Sequence, residues 1–330
     1  MASDCMKKTF ILASIILLCL LQGCGEGAKE ASGSGIYFDT VIDIKVYGDD
    51  ADRMLSGCFD ICKSMEKTLS AHDEESELYK LNHRSEGETS VEISEDLAEC
   101  ISEGLYYSEV SDGVFDITIL PLSGLWDFNT DEPEVPSDAE ISDALKKVDH
   151  RRVHLNGNTV SFDDPDIQID LGGIAKGFVS AKLKEYLKSE GCSSAIINLG
   201  GNVSTVGSRP DGSEWVVGIQ EPYAGRGTVF DTVKVRDGCV VSSGTYERYF
   251  TVGDRRYHHI LDPKTGYPAD TGLFQATVTG DDDTLCDALS TICVLLGSDA
   301  SKQLIEKEGW DVKILFIDTD TTGTWYPQKP

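Results

Sequence analysis

Along this chain, strand-like and helix-like stretches follow one another in no regular alternation, and that order constrains the fold more than any single motif. Strand patterns occupy 40–47, 195–199, 216–220, 228–235, 239–243, 274–279 and 312–318. A hairpin is expected over 153–162, around Asn156-Gly157-Asn158, and a further strand over 167–171. Helical patterns occupy 50–69, 94–111, 137–148, 173–190, 283–296 and 298–308. Ser94 is placed to cap the second of these and Gly113 to close it. Strict strand–helix alternation would predict a parallel sheet. Runs of strands broken irregularly by helices predict an α+β fold, with mixed or antiparallel sheets and flanking helices.

Composition enters through charge. With 330 residues and 40% hydrophobic content the chain can bury a large core, yet its formal net charge is -28. That balance argues against nucleic acid as a partner, because phosphate backbones demand basic stripes. It also means that a nucleotide diphosphate can be held only beside a local cation, whether a metal or a few placed Lys and Arg side chains.

The amino terminus reads as an export signal. Lys7 and Lys8 precede an apolar run over 10–21 that is too short to span a membrane comfortably. The run ends at Leu21-Gln22-Gly23-Cys24, which resembles a lipobox with Cys24 as the acylated first residue of the mature chain. The expected organisation is a lipoprotein signal peptide over 1–23, a flexible tether over 24–35 and a folded domain over 36–330. The expected location is the outer face of the cytoplasmic membrane. Beyond Cys24 stand Cys58, Cys62, Cys100, Cys192, Cys239, Cys286 and Cys293. Their number is odd and none has zinc-like spacing, so mostly free thiols are expected.

Three motifs carry chemistry. Asp287 and Thr291 stand four apart in a helical pattern and share a face. A carboxylate and a hydroxyl there are hard oxygen ligands suited to Mg²⁺. In Asp170-Leu-Gly-Gly-Ile-Ala-Lys-Gly177, glycines at a helix start permit close backbone approach to phosphate, and free carbonyls there can reach a metal. In His259-Ile-Leu-Asp-Pro-Lys-Thr-Gly266, a histidine precedes an aspartate by three residues, an acid/base arrangement followed by turn chemistry.

The order of the motifs is more specific than any one of them. Ser111-Asp-Gly-Val-Phe-Asp116, Pro121-Leu with Leu125-Trp126, and the Asp170–Gly177 motif come first. Asn198-Leu-Gly-Gly-Asn202, Trp215-Val-Val-Gly-Ile219, Ser242-Ser-Gly-Thr-Tyr246, the His259–Gly266 motif and Asp287-Ala-Leu-Ser-Thr291 follow. In that order they closely resemble the ApbE family, lipoproteins described as FAD:protein FMN transferases, over roughly 37–310.

The resemblance implies an active site in a cleft between two lobes and FAD bound with its diphosphate on Mg²⁺. A threonine hydroxyl of a target protein takes the FMN group and AMP leaves. It assigns Asp287, Thr291 and the Gly173 carbonyl to the metal. Phe38, His72, Asn82, Val114, Phe115, Asp116, Asp170, Lys176 and Ile260 are assigned to FAD. His259 is expected to receive the acceptor proton, oriented by Asp262. Mg-dependent hydrolysis of FAD to FMN and AMP, and non-enzymatic FAD binding, are the alternative functions. Two stretches depart from the usual family pattern, and a further position varies within it. Phe38-Asp39-Thr40 replaces Met-Gly-Thr, His72 stands where an aromatic is common, and Gly173 is Ala or Thr in some relatives.

Overall fold

A computed structural model describes residues 29–327 except 86, 129 and 131, so Cys24 and the signal segment lie outside the described residues. The chain opens on a hairpin, β1 (Glu30–Tyr37) and β2 (Thr40–Tyr47), and a long helix, α1 (Ala51–Leu69). Then come α2 (Glu77–Asn82), β3 (Ser90–Glu92), α3 (Glu95–Val110), α4 (Leu120–Trp126) and α5 (Asp138–Leu145). The hairpin β4 (Val153–Asn156) and β5 (Thr159–Phe162) leads to α6 (Ala175–Ser189). A run of strands follows: β6 (Ser194–Leu199), β7 (Asn202–Gly207), β8 (Trp215–Gln220), β9 (Val229–Val235) and β10 (Cys239–Gly244). It continues through β11 (Tyr249–Val252), β12 (Arg255–His258) and β13 (Leu273–Gly280). The chain finishes with α7 (Asp283–Leu296), α8 (Ser298–Glu308), β14 (Lys313–Asp318) and β15 (Gly323–Tyr326).

Eight strands form one antiparallel sheet in the order β1-β2-β6-β7-β10-β13-β14-β15. Side-chain alternation gives strands such as β10 and β14 of this sheet two buried faces. In β14, Ile314 and Phe316 enter the main core, whereas Leu315 and Ile317 pack against Phe230 and Trp325 on the opposite side. In β10, Cys239 and Val241 enter the main core and Val240 meets Trp215 and Val217. The β8–β9 hairpin therefore covers one face, and α1, α6 and α7 cover the other. Coverage on both sides explains why β14 reads Lys-Ile-Leu-Phe-Ile-Asp rather than alternating apolar with polar.

A second, smaller core gathers Leu122, Trp126, Ile141, Ala144, Phe250 and Leu261 from α4, α5, β11 and the segment after β12. Ile260 belongs to the main core and its neighbour Leu261 to the small one, so the chain crosses the junction within one peptide bond. The Trp126 indole N–H donates to the Gly266 carbonyl at 2.9 Å and fastens the turn after that crossing.

Two expectations are overturned. The tether over 24–35 is not a tether from residue 30 onward, because Glu30 to Gly35 pair with β2 from Tyr47 to Ile42. The small residues serve close packing: a Cβ on Gly33 would lie 2.9 Å from the Phe59 ring of α1. The segment 167–171 is not a strand. Its apolar alternation is real, with Ile167, Ile169 and Leu171 all buried. Its backbone, however, is bound by side chains and loop groups rather than by a ladder. Asn82 grips Ile169 at both its N–H and its carbonyl, each at 2.7 Å, the Arg84 guanidinium donates to the Ile167 carbonyl, and Asp170 N–H donates to the Ile117 carbonyl.

Candidate active site

Helix α7 is the organising element. Eleven of its 14 residues are buried, so its polar side chains must find partners inside the protein. Asp283 and Asp287 stand one turn apart and are both buried. Asp283 meets the ammonium of Lys184 from α6 at 2.5 Å and also accepts from the Ser204 hydroxyl. Burial alone would push the Lys184 pKa down, but the adjacent carboxylate more than offsets it and holds the lysine charged.

Asp287 has no such counter-ion. Its Oδ2 accepts from Gly177 N–H at 2.7 Å and its Oδ1 from the Asn202 amide at 2.8 Å. Among the described residues, no Lys, Arg or His forms an ion pair with it. The close approach is possible because residue 177 is glycine: a Cβ there would sit 2.4 Å from the Asp283 carbonyl oxygen and 2.6 Å from the Asp287 Cβ. One turn on, Thr291 is half-buried, with its hydroxyl 3.0 Å from the Ser243 hydroxyl of β10. Ser243 also lies 2.7 Å from the Ser290 hydroxyl.

The glycine turn leads into α6, whose Gly177 meets this helix. Asp170 is half-buried, its carboxylate accepting from Gly172 N–H at 2.8 Å and from the Ser123 hydroxyl at 3.2 Å. Gly173 lies against the Phe115 ring, which a Cβ would meet at 2.7 Å. A side chain at this position would require the Phe115 ring to shift. Val114, Phe115 and Asp116 are buried. The Asp116 carboxylate is filled by internal donors: Thr118 N–H and hydroxyl on one oxygen, His150 N–H and ring nitrogen on the other. Asp116 thus ties its loop to the 150–152 turn. Asn82, occupied at both ends by Ile169, likewise holds the glycine segment in place rather than offering a free amide.

The strand end at β12 sends its two histidines apart. His258 donates from Nε2 to the Ala269 carbonyl at 2.9 Å and accepts Ile260 N–H at Nδ1. Burial lowers its pKa. His259 turns to the Arg248 carbonyl, 3.3 Å from Nδ1. Close packing, then repulsion of its charged form by Arg248, His258 and Lys176, pushes its pKa down to about 3. The ring is therefore neutral at pH 7. The sequence expectation that Asp262 orients this ring is not met: its carboxylate accepts Lys264 N–H at 2.8 Å and its carbonyl accepts from Thr265 and Gly266, all within the turn. Lys176 has no carboxylate within ion-pair reach among the described residues. Ile260 is buried beside His259.

Two further expected residues sit in connecting segments, one after α1 and one within the first hairpin. His72 is exposed after α1, where its N–H meets the Ser70 hydroxyl. Phe38 sits in the β1–β2 turn at φ 53, followed by Asp39 at φ 55. Both central residues of this two-residue turn need left-handed backbone, which explains a glycine at the second position in the family pattern. The turn lies next to the β6–β7 turn, where a Cβ on Gly200 would collide with Thr40. The residues that sequence reasoning did not assign are Asn202, Ser243, Ser290 and the Lys184–Asp283 pair. The first three lay in motifs already singled out. Nothing in the local pattern signals the last.

A family model described as the ApbE family matches residues 38–316. The FAD:protein FMN transferase of Treponema pallidum (strain Nichols) is 33% identical over 339 residues, covering 95% of this chain and 93% of the relative. The protein of the same description from Klebsiella pneumoniae (strain 342) is 32% identical, covering 87% and 88%. The crystal structure of the ApbE protein from Thermotoga maritima matches with a TM-score of 0.82 at 29% identity, over 89% of this chain and 96% of that one. Flavin transferase ApbE from Vibrio cholerae matches at 0.80 and 25% identity, over 91% and 97%. Fold and matches together define an α+β enzyme of the transferase class. The chain belongs to the ApbE family.

Proposed function

We propose that this chain transfers the FMN group of FAD to a threonine hydroxyl of another protein, releasing AMP, with Mg²⁺ held by Asp287, Thr291 and the Gly173 carbonyl. One observation carries the metal reading: of two equally buried carboxylates on α7, Asp283 is neutralised by Lys184 and Asp287 by nothing in the described chain. A buried carboxylate without a counter-charge is costly, so a cation is the natural complement. The donor set is all oxygen, as Mg²⁺ requires. Bound there, the cation supplies charge neutralisation for the diphosphate and for the group in transfer.

The chain's own residues supply the rest. Asn202 and Gly177 N–H fix the Asp287 carboxylate. Phe115 backs the glycine turn, and Lys176 is free to meet a phosphate oxygen. With its Nδ1 proton directed to the Arg248 carbonyl, His259 keeps a lone pair at Nε2 to receive the acceptor proton. The threonine oxygen forms its bond to the FMN phosphorus as the bond to AMP breaks, and the released proton goes first to His259.

No helix among the described residues is long and apolar enough to cross a membrane. We propose that the chain is exported and anchored through a lipid on Cys24, where it meets membrane or exported flavoproteins. The test of function is incubation with FAD, Mg²⁺ and a threonine-containing acceptor segment, read by acceptor mass. Gain of one FMN unit is expected. FMN release without labelling would indicate hydrolysis, and intact FAD a binding protein. Asp287→Ala should abolish transfer while unfolding remains cooperative; full turnover in that variant would remove the metal site.

A further inference from the structure

We infer that Ser243 and Ser290 form a one-way hydroxyl chain that turns the Thr291 proton away from the metal position, making Ser243 a positioning residue for that ligand set. The inference rests on the metal reading above and concerns how one ligand is prepared.

The direction of the chain follows from proton counting. Each hydroxyl has one proton to donate and lone pairs to accept with. At one end stands the Asp287 backbone carbonyl, which can only accept. Ser290 donates its single proton there, at 2.8 Å. Toward Ser243, 2.7 Å away, Ser290 can then only accept, so Ser243 spends its proton on Ser290. Toward Thr291, 3.0 Å away, Ser243 can in turn only accept, so Thr291 must donate. What remains on the Thr291 oxygen is lone pairs. A hydroxyl that could present either a proton or an electron pair is left as an electron-pair donor, as a cation requires.

The strand geometry puts Ser243 in place. Cys239 and Val241 of β10 enter the main core beneath α7, and period two sends Ser243 to that same side. Ser242 turns the other way and meets the Thr277 hydroxyl at 2.8 Å. Without Ser243, a helical threonine has a standard alternative partner, the carbonyl four residues back. For Thr291 that carbonyl belongs to Asp287, and such a bond would swing its hydroxyl along the helix.

The test titrates magnesium chloride into metal-stripped protein without FAD, by calorimetry, and measures the thermal midpoint of the same metal-free samples. Ser243→Ala is expected to weaken Mg²⁺ binding about tenfold or more, the usual effect of losing a group that orients a ligand. Ser243→Thr, which restores a hydroxyl, should recover the affinity. In a Thr291→Val background, Ser243→Ala should cost nothing further. Affinity within about twofold of the parent in Ser243→Ala, or an undiminished loss in the Thr291→Val background, overturns the chain while leaving the metal site standing. If the parent binds no Mg²⁺ and Asp287→Asn behaves identically, the metal reading itself fails and takes the chain with it.

Discussion

Replacing Gly177 by alanine sets two physical effects against each other. Seen from α6 alone, alanine is the better helix former by about 1 kcal/mol, and the change should stabilise. Seen from the packed structure, the new Cβ would stand 2.6 Å from the Asp287 Cβ and 2.4 Å from the Asp283 carbonyl oxygen. Carbon atoms prefer about 3.5–4.0 Å, so α6 and α7 must part by roughly 1 Å. Overpacking of this kind costs about 1–3 kcal/mol. The same displacement stretches the 2.7 Å bond from Gly177 N–H to Asp287 beyond hydrogen-bond range. A bond to a charged group contributes about 1.5–3 kcal/mol. Set against the propensity gain, the net expectation is a loss of about 1.5–5 kcal/mol. Equilibrium unfolding in urea, with chelator present, measures it directly. The calorimetric Mg²⁺ titration should show weaker binding in the same variant, because Asp287 moves. A variant as stable as the parent, or more so, would refute the claim that the α6–α7 contact at this glycine sets the carboxylate.

Lys184→Met should cost about 3–5 kcal/mol in urea unfolding, because it leaves Asp283 buried and unpaired. Since the folded lysine pKa is raised, its contribution is full below the unfolded value of about 10.4 and is lost as pH rises through the folded one; the variant should lack that alkaline loss. His259 has the opposite sign. Its folded pKa of about 3 lies below the unfolded value, so stability holds above about pH 6.5 and falls as pH drops toward 3. His259→Phe should flatten that acid slope in unfolding curves taken from pH 7 to 4, and an unchanged slope would show that this ring is not the group responsible.

How much of this was legible depends on whether the signal was local. Helices α7 and α8 were bounded correctly because their apolar period runs cleanly and a glycine at 297 separates them. The i, i+4 relation of Asp287 and Thr291 needed nothing beyond the helix itself. The segment 167–171 shows the limit of such reading. Alternation reports which side chains are buried, and there it was right, but it does not say what binds the backbone. Asn82, 87 residues distant, takes the part a neighbouring strand would have played. Strand β1 was missed for the converse reason, since glycine and serine look like linker until the Phe59 ring is seen lying on them. Partners far along the chain, such as Ser243 for Thr291 and Lys184 for Asp283, are fixed by sheet order and helix docking. Neither is encoded in any window of sequence. Asp262 was misread because proximity to His259 in sequence was mistaken for contact, whereas the turn consumes its carboxylate.

The crossing at Ile260 and Leu261 has a mechanical consequence. Each of these neighbours is clamped in a separate hydrophobic body, and His259 is bonded directly to the first of them. The imidazole is thereby mounted on the seam, held like a hinge pin between two plates. A mutation that reseats Trp126 or Phe250 will shift the His259 imidazole relative to the α7 carboxylate without touching either one.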